Sequence, residues 1–172
     1  MSPKYFDFCR NKVLESFQFP PFDTSDNILY EKILRTKSSV TIHVRRGDYL
    51  KSDIFSGICS LEYYKNAIIK ACSLLENPIF LIFSNDSEWC IENFKEVLGN
   101  NKVYFISNNK GSDSYRDMQL MSKARCNIIA NSSFSWWGAY LNKRGDQIVI
   151  VPNKWTNQLE DKDIYLDNWI RI

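Results

Sequence analysis

Arg45 and Arg46 end the run Val40-Thr41-Ile42-His43-Val44 and are followed by Gly47 and Asp48. Guanidinium groups are permanently cationic forks suited to phosphate oxygens, and a glycine beside them lets the backbone turn sharply or approach a ligand closely. His43, the only histidine in the chain, lies just upstream. A generic loop of this composition would do no more than pair Arg46 with Asp48 on the surface. A second stretch, far downstream, argues for more. After the apolar run Asn127-Ile128-Ile129-Ala130 come Asn131, Ser132, Ser133, Phe134 and Ser135, then Trp136 and Trp137. Serine hydroxyls beside the free backbone N–H groups of a helix start make an anion site that needs no metal. The structural alternative is a serine N-cap followed by a pair of core tryptophans.

The elements that must hold these groups follow from hydrophobic periodicity. Residues 4–18 carry Tyr5, Phe8, Cys9, Val13 and Phe17 at helical spacing, and Pro20-Pro21 ends that helix. A second amphipathic helix spans Asn27 to Thr36. From Val40 the pattern alternates: strand 40–44, a helix with Leu61, Tyr64, Ile68, Ala71 and Leu75 inward, then strand Ile79–Phe83. A helix starting near Asn85, with Glu88 at capping-box spacing, keeps Cys90, Phe94 and Val97 inward. Strand Val103–Ile106, a helix over Tyr115–Arg125, strand Asn127–Ala130, a helix over Phe134–Asn142 and strand Gln147–Val151 complete the series. Alternation at this spacing predicts a Rossmann-like α/β fold, a parallel sheet of about five strands with helices on both faces. Arg45 and Asp48, Ser84 to Asp86, and Ser132 to Ser135 then fall at carboxyl ends of parallel strands, the edge where such sheets bind ligands.

Composition narrows the chemistry. The 172 residues, 44% hydrophobic and 24% charged, suit a globular domain, and a net charge of +2 without a basic run argues against nucleic acid as a partner. The first residues lack the apolar core of a signal peptide, and no run approaches a membrane span, so a cytoplasmic location is expected. Five cysteines, an odd number without C-x-x-C spacing, read as reduced packing residues. No P-loop or G-x-G-x-x-G occurs, and a lone histidine without a G-x-S-x-G elbow disfavours metal clusters and hydrolytic triads. Asp161-Lys162-Asp163 has the D-x-D form of metal-dependent glycosyltransferases but follows no strand, so no metal site is expected.

Three ordered segments carry a resemblance: H-V-R-R-G-D-Y at His43–Tyr49, F-S-N-D-S-E-W at Phe83–Trp89 and N-S-S-F-S-W-W-G-A-Y-L at Asn131–Leu141. With V-P-N-K-W at Val151–Trp155 and a late tryptophan at Trp169, they resemble the bacterial galactoside α-1,2-fucosyltransferases of glycosyltransferase family 11. The resemblance implies the nucleotide-sugar-binding half of a GT-B-type enzyme, with residues 1–37 as amino-terminal helices and linker and 38–172 as the GDP-fucose-binding domain. It implies inverting, metal-independent transfer of fucose from GDP-fucose to the 2-hydroxyl of a galactose-containing glycan, with no cofactor beyond that donor. Catalytic roles are implied for Arg45, Arg46 and Asp48, with Arg45 on the β-phosphate. Nucleotide-sugar contacts are implied for His43, Arg45, Ser84, Asp86, Asp117, Ser132, Ser133, Phe134 and Ser135, with His43 and Asp117 at guanine. An N-terminal acid on a helix is the plain alternative for Asp117. No residue presents itself as the base for the acceptor hydroxyl, since an aspartate beside two arginines has a depressed pKa.

The glycine-rich G-G-L-G-N-Q that usually opens such sequences does not occur here. The base, or much of the acceptor site, would then belong to that segment. The alternatives are therefore a truncated module that binds GDP or a partner without turnover, and a site for another nucleotide sugar. Peripheral association with membrane-bound glycan assembly is the one membrane role expected.

Overall fold

The computed structural model describes residues 2–158 and 163–172. Its strands are β1 Ser39–Val44, β2 Ile79–Ser84, β3 Lys102–Ile106, β4 Cys126–Ile128, β5 Ile148–Val151 and β6 Ile170–Arg171. Its α-helices are α1 Arg10–Ser16, α2 Ser25–Leu34, α3 Leu61–Leu74, α4 Ser87–Leu98, α5 Tyr115–Met121 and α6 Ser133–Tyr140. The strands form one sheet in the order β3-β2-β1-β4-β5-β6, every neighbouring pair parallel. The chain therefore winds outward from β1 to β3, returns, and winds outward again from β4 to β6. The order reverses between β1 and β4, which is the switch point where doubly wound sheets open a crevice.

Side-chain alternation sends each strand's residues to two different cores. Val40, Ile42 and Val44 of β1, with Phe80 and Ile82 of β2, pack with Tyr64, Ile68 and Ala71 of α3 and with Phe94 of α4. Leu81 and Phe83 turn to the other face and meet Leu34 of α2 and Leu120 and Met121 of α5. Farther along that face Trp136, Ala139 and Tyr140 of α6 cover Ile129, Val149 and Val151, and Tyr165 and Trp169 complete the cluster. Gly138 of α6 lies so close to α5 that a Cβ there would stand 3.0 Å from the Met121 Cβ.

Four local features differ from the periodicity. The stretch predicted as one helix over residues 4–18 is two 3₁₀ turns, Pro3–Tyr5 and Asp7–Cys9, followed by the short α1. Its aromatics pack individually, Phe6 and Phe17 both stacking on Trp137, while Tyr5 and Phe8 stay exposed. α4 is capped by Asp86, whose carboxylate accepts from the Trp89 N–H at 3.2 Å, so the box of Asn85 with Glu88 does not form. α5 stops at Met121 rather than at Arg125, because buried side chains take its last carbonyls: the Ser122 hydroxyl bonds Gln119 O and the Asn127 amide bonds Met121 O. A sixth strand follows Trp169, too short to show as a pattern. The Asp161-Lys162-Asp163 tripeptide lies, except for Asp163, outside the described residues.

Asn127, in β4, joins the layers. Its Nδ2 donates to Thr41 Oγ1 at 2.7 Å and to Met121 O at 2.8 Å, and its Oδ1 accepts from Gln147 Nε2 at 2.9 Å. Buried polar groups left without partners cost roughly 1–3 kcal/mol each. Asn127→Ala is accordingly expected to destabilise the fold by about 3 kcal/mol, seen as a lower denaturant midpoint at constant m.

Candidate nucleotide site

β1 is buried at every position and delivers Arg45 and Arg46 at its carboxyl end. The turn there depends on Gly47, whose φ of +56° suits glycine and whose missing Cβ would otherwise lie 2.8 Å from Asn85 Nδ2. The same Asn85 accepts from the Arg46 backbone N–H at 2.9 Å, fastening the loop after β1 to the loop after β2.

The two arginines part company here. Arg46 Nε donates to Asp86 Oδ2 at 2.9 Å and its guanidinium lies 4.0 Å over the Trp89 ring. Asp86 already caps α4 and takes its own N–H bond to Ser84 Oγ at 2.9 Å, so Arg46 belongs to the framework joining β1, β2 and α4. The surface pair of Arg46 with Asp48 that a generic loop would give does not form. It is Arg45 that holds Asp48, Nη2 to Oδ2 at 2.9 Å, with its guanidinium 5.5 Å over Tyr49. That hydrogen bond keeps the exposed Asp48 carboxyl below its ordinary pKa, which makes it a poor base and a good anchor.

Arg45 lines a cavity of about 510 Å³ between the ends of β1, β2, β3 and β4. His43, Ser84, Asp117, Ser132 and Phe134 line it too. The remaining expected residues do not. Asp86 and Arg46 face each other beside it, Asp48 reaches it only through Arg45, and Ser133 is exposed at the start of α6. Ser135 is fully buried and donates within its own turn to the Ala130 and Ser132 carbonyls, so its hydroxyl stabilises the helix start rather than offering itself to a ligand. Ser132 occupies the N-cap of α6 without a side-chain cap bond. Trp136 is fully buried, donating Nε1 to Ile164 O at 2.7 Å, and Trp137 carries the amino-terminal aromatics. Asn131, which opens the same motif, donates to Trp155 O at 3.1 Å and so joins it to the V-P-N-K-W segment.

Sequence reasoning passed over Ser107, Asn109, Lys110 and Ser114, all of which line the cavity. The signal was available: Ser107-Asn108-Asn109-Lys110 follows β3 as the recognised motifs follow β1, β2 and β4. A second cavity of about 510 Å³, lined by residues that include Arg35, Lys123 and Arg144, opens where the chain enters β1, β4 and β5, at the opposite edge, and touches the motifs only at Leu141, the last residue of the third.

Two lining groups are electrostatically shifted. Burial, and secondarily the Arg45 charge, lowers His43 to about 3, so its ring is neutral. Its Nδ1 is buried and has no hydrogen-bond partner among the described residues, and the ring lies 5.6 Å from that of Phe134. Burial pushes Asp117 up to about 6, against the lowering effect of the hydrogen bond it accepts from Asn109 at 2.7 Å. An acid whose folded pKa is raised contributes stability below its unfolded pKa, near 3.8, and loses it as pH rises through about 6. Asp117→Asn removes that loss. Relative to wild type, the variant is expected to gain about 2–3 kcal/mol between about pH 4 and pH 7, measured as diverging stability curves, and parallel curves would refute the raised state.

Comparison with known proteins identifies the family. Residues 3–172 match the family described as Glycosyl transferase family 11. The O-antigen biosynthesis glycosyltransferase WbnK of Escherichia coli is 35% identical over 86% of this chain and 49% of its own length. An alpha-1,2-colitosyltransferase of Escherichia coli is 38% identical over 81% of this chain and 49% of its own length. A galactoside alpha-(1,2)-fucosyltransferase 1 of Leontocebus fuscicollis is 27% identical over 80% of this chain and 39% of its own length. The chain thus spans about half the length, or less, of these curated relatives. The crystal structure of POFUT1 in complex with GDP superimposes with a TM-score of 0.55 at 12% identity, covering 84% of this chain and 50% of that one, which shows a shared fold. With the sequence match running through nearly all its residues, the chain belongs to glycosyl transferase family 11.

Proposed function

We propose that the cavity at the β1–β4 switch point binds GDP-fucose and that the chain serves the inverting, metal-independent transfer of L-fucose to the 2-hydroxyl of a galactose-containing glycan. The observation that carries this reading is the convergence of Arg45, the start of α6 and Asp117 on one cavity. Family membership and relatives named as α-1,2-glycosyltransferases support the reaction class. The fold shared with POFUT1, whose crystal structure holds GDP, supports the nucleotide.

The chemistry follows from the groups present. The ionised Asp117 carboxylate accepts from N1–H and the exocyclic amino group of guanine, donors that adenine does not place there. His43 supplies a neutral ring at the cavity wall, beside Phe134. The diphosphate lies between the α6 N–H groups and Arg45. As the glycosidic bond to the phosphate oxygen breaks, negative charge grows on that oxygen while the sugar becomes oxocarbenium-like. A guanidinium fork held in place by Asp48, together with fixed backbone N–H dipoles, stabilises that charge without reorganising. Asp86 and Arg46 keep the two loops at the spacing this requires.

Calorimetry with EDTA present tests the donor site. GDP is expected to bind at least about tenfold more tightly than ADP, the difference lying in hydrogen bonds to the base. Equal binding, or a strict need for a divalent ion, would sink the assignment. The relative named a colitosyltransferase favours a second donor reading, GDP-colitose, so both sugars should be titrated and assayed for transfer to a galactoside. Binding without any transfer would instead favour a nucleotide-holding module.

The arginines give a sharper contrast. Arg45→Lys is expected to keep the melting temperature and lose about 10²- to 10³-fold in transfer rate, because an ammonium cannot reproduce the fork at the developing charge. Arg46→Lys is expected to lower the melting temperature and to cost less activity, since it loosens the contacts with Asp86 and Trp89. Near-wild-type transfer by Arg45→Lys would contradict the mechanism.

A further inference from the structure

Behind Asp117 stands a chain of asparagine side chains that the nucleotide reading leaves unexplained. Asn27, on α2, is 2% exposed, and Asn109, on the loop after β3, is 9% exposed. Their amides bond reciprocally: Asn27 Nδ2 donates to Asn109 Oδ1 at 2.8 Å, and Asn109 Nδ2 donates to Asn27 Oδ1 at 3.1 Å. Asn108 Nδ2 adds a further bond to Asn27 Oδ1 at 3.1 Å. Asn109 Nδ2 then spends its other hydrogen on Asp117 Oδ1 at 2.7 Å.

An amide group has two donors and one acceptor atom, and turning it over exchanges them. Here the turn is blocked, because Asn27 presents an N–H to Asn109 Oδ1 and an oxygen to Asn109 Nδ2. The only hydrogen left points at Asp117. One carboxylate oxygen is therefore fixed, and among the described residues Oδ2 receives no hydrogen bond. A buried asparagine on a helix is unfavourable by propensity and by desolvation, and a small apolar residue would fill the site at lower cost. Holding α2 against the loop would require no connection to Asp117.

We propose that Asn27, acting through Asn109, is a positioning residue that holds the Asp117 carboxylate ionised and turned toward the base, so that guanine selectivity depends on α2. This rests on the reading of Asp117 as the group that meets guanine. The charged and titratable groups around it are few. His43 and Arg45 from β1 and Lys110 from the loop after β3 line the same cavity. Arg116, its neighbour on α5, turns away to the Pro20 and Pro21 carbonyls and to Asp23. On α2, Asp26 precedes Asn27 in sequence.

The probes are GDP and inosine diphosphate, which lacks only the 2-amino group, titrated between about pH 5 and pH 8. Titration of the diphosphate is common to both and cancels in their affinity ratio. Wild type is expected to prefer GDP by about tenfold, a charge-assisted hydrogen bond, with the preference falling as pH drops and Asp117 takes up a proton. Asn27→Ala is expected to cut the preference several-fold and to move its midpoint to higher pH, because Asn109, no longer braced, stabilises the carboxylate less. The isosteric Asn27→Asp, which keeps the packing if the alanine variant fails to fold, draws the Asn109 donor toward its own carboxylate and should move the midpoint the same way. Both should bind inorganic pyrophosphate as wild type does. Asp117→Asn separates the two ideas. If it leaves the GDP preference intact, the base assignment falls and the positioning inference with it. If it abolishes the preference while both Asn27 variants keep wild-type ratio and midpoint, Asp117 reads the base and the inference about Asn27 is overturned. A uniform loss of pyrophosphate and GDP affinity in the Asn27 variants would likewise overturn it, as general distortion.

Discussion

β1 is paired on both edges and covered on both faces, and that confinement shapes the candidate site. A strand with no free side can present chemistry only where it ends. Because the chain reverses its winding between β1 and β4, the helices that follow these two strands leave on opposite faces and the loops diverge. The opening between them is a product of topology. Arg45, the start of α6 and, from the first turn of α5, Asp117 occupy an opening that the fold would form with other residues in their place.

Within that opening, neighbouring residues of one type serve different ends. Arg45 remains partly exposed on the cavity side with a single carboxylate to steady it, whereas Arg46 is committed to Asp86 and Trp89. The serines divide in the same way, Ser132 lining the cavity while Ser135 is spent on carbonyls of its own turn. In each pair the difference is one of direction: consecutive residues at a strand end point to opposite sides, and residues along the first turn of a helix point around it.

How much of this is legible in sequence follows from the range of the forces involved. β1, β2 and β5 announce themselves as apolar runs because both faces are buried, and the carboxyl-end placement of the motifs then follows from alternation alone. The partner of Arg46 does not, since Asp48 and Asp86 are equally good carboxylates and only the turn at Gly47, fastened by Asn85, decides between them. α5 runs past its true end in sequence because nothing nearby in the chain shows that Asn127 will take the Met121 carbonyl. The Asn27–Asn109 pair joins residues far apart in sequence, through side chains with no periodic signature. β6 carries too few residues for any period.

The shortness of β6 has a consequence for the molecule among its own copies. An open sheet ends in strands whose outer N–H and C=O groups can recruit a strand from another chain. At one border this sheet offers just Ile170–Arg171, too little ladder to template growth, with a cation at its tip. The other border, β3, is longer, but it starts with an exposed Lys102 that reaches over Tyr104, and Tyr30 packs edge-on against that tyrosine from α2. Colloidal stability of the chain thus rests on charge and aromatic cover at β3 and on brevity at β6, two different defences against the same self-association.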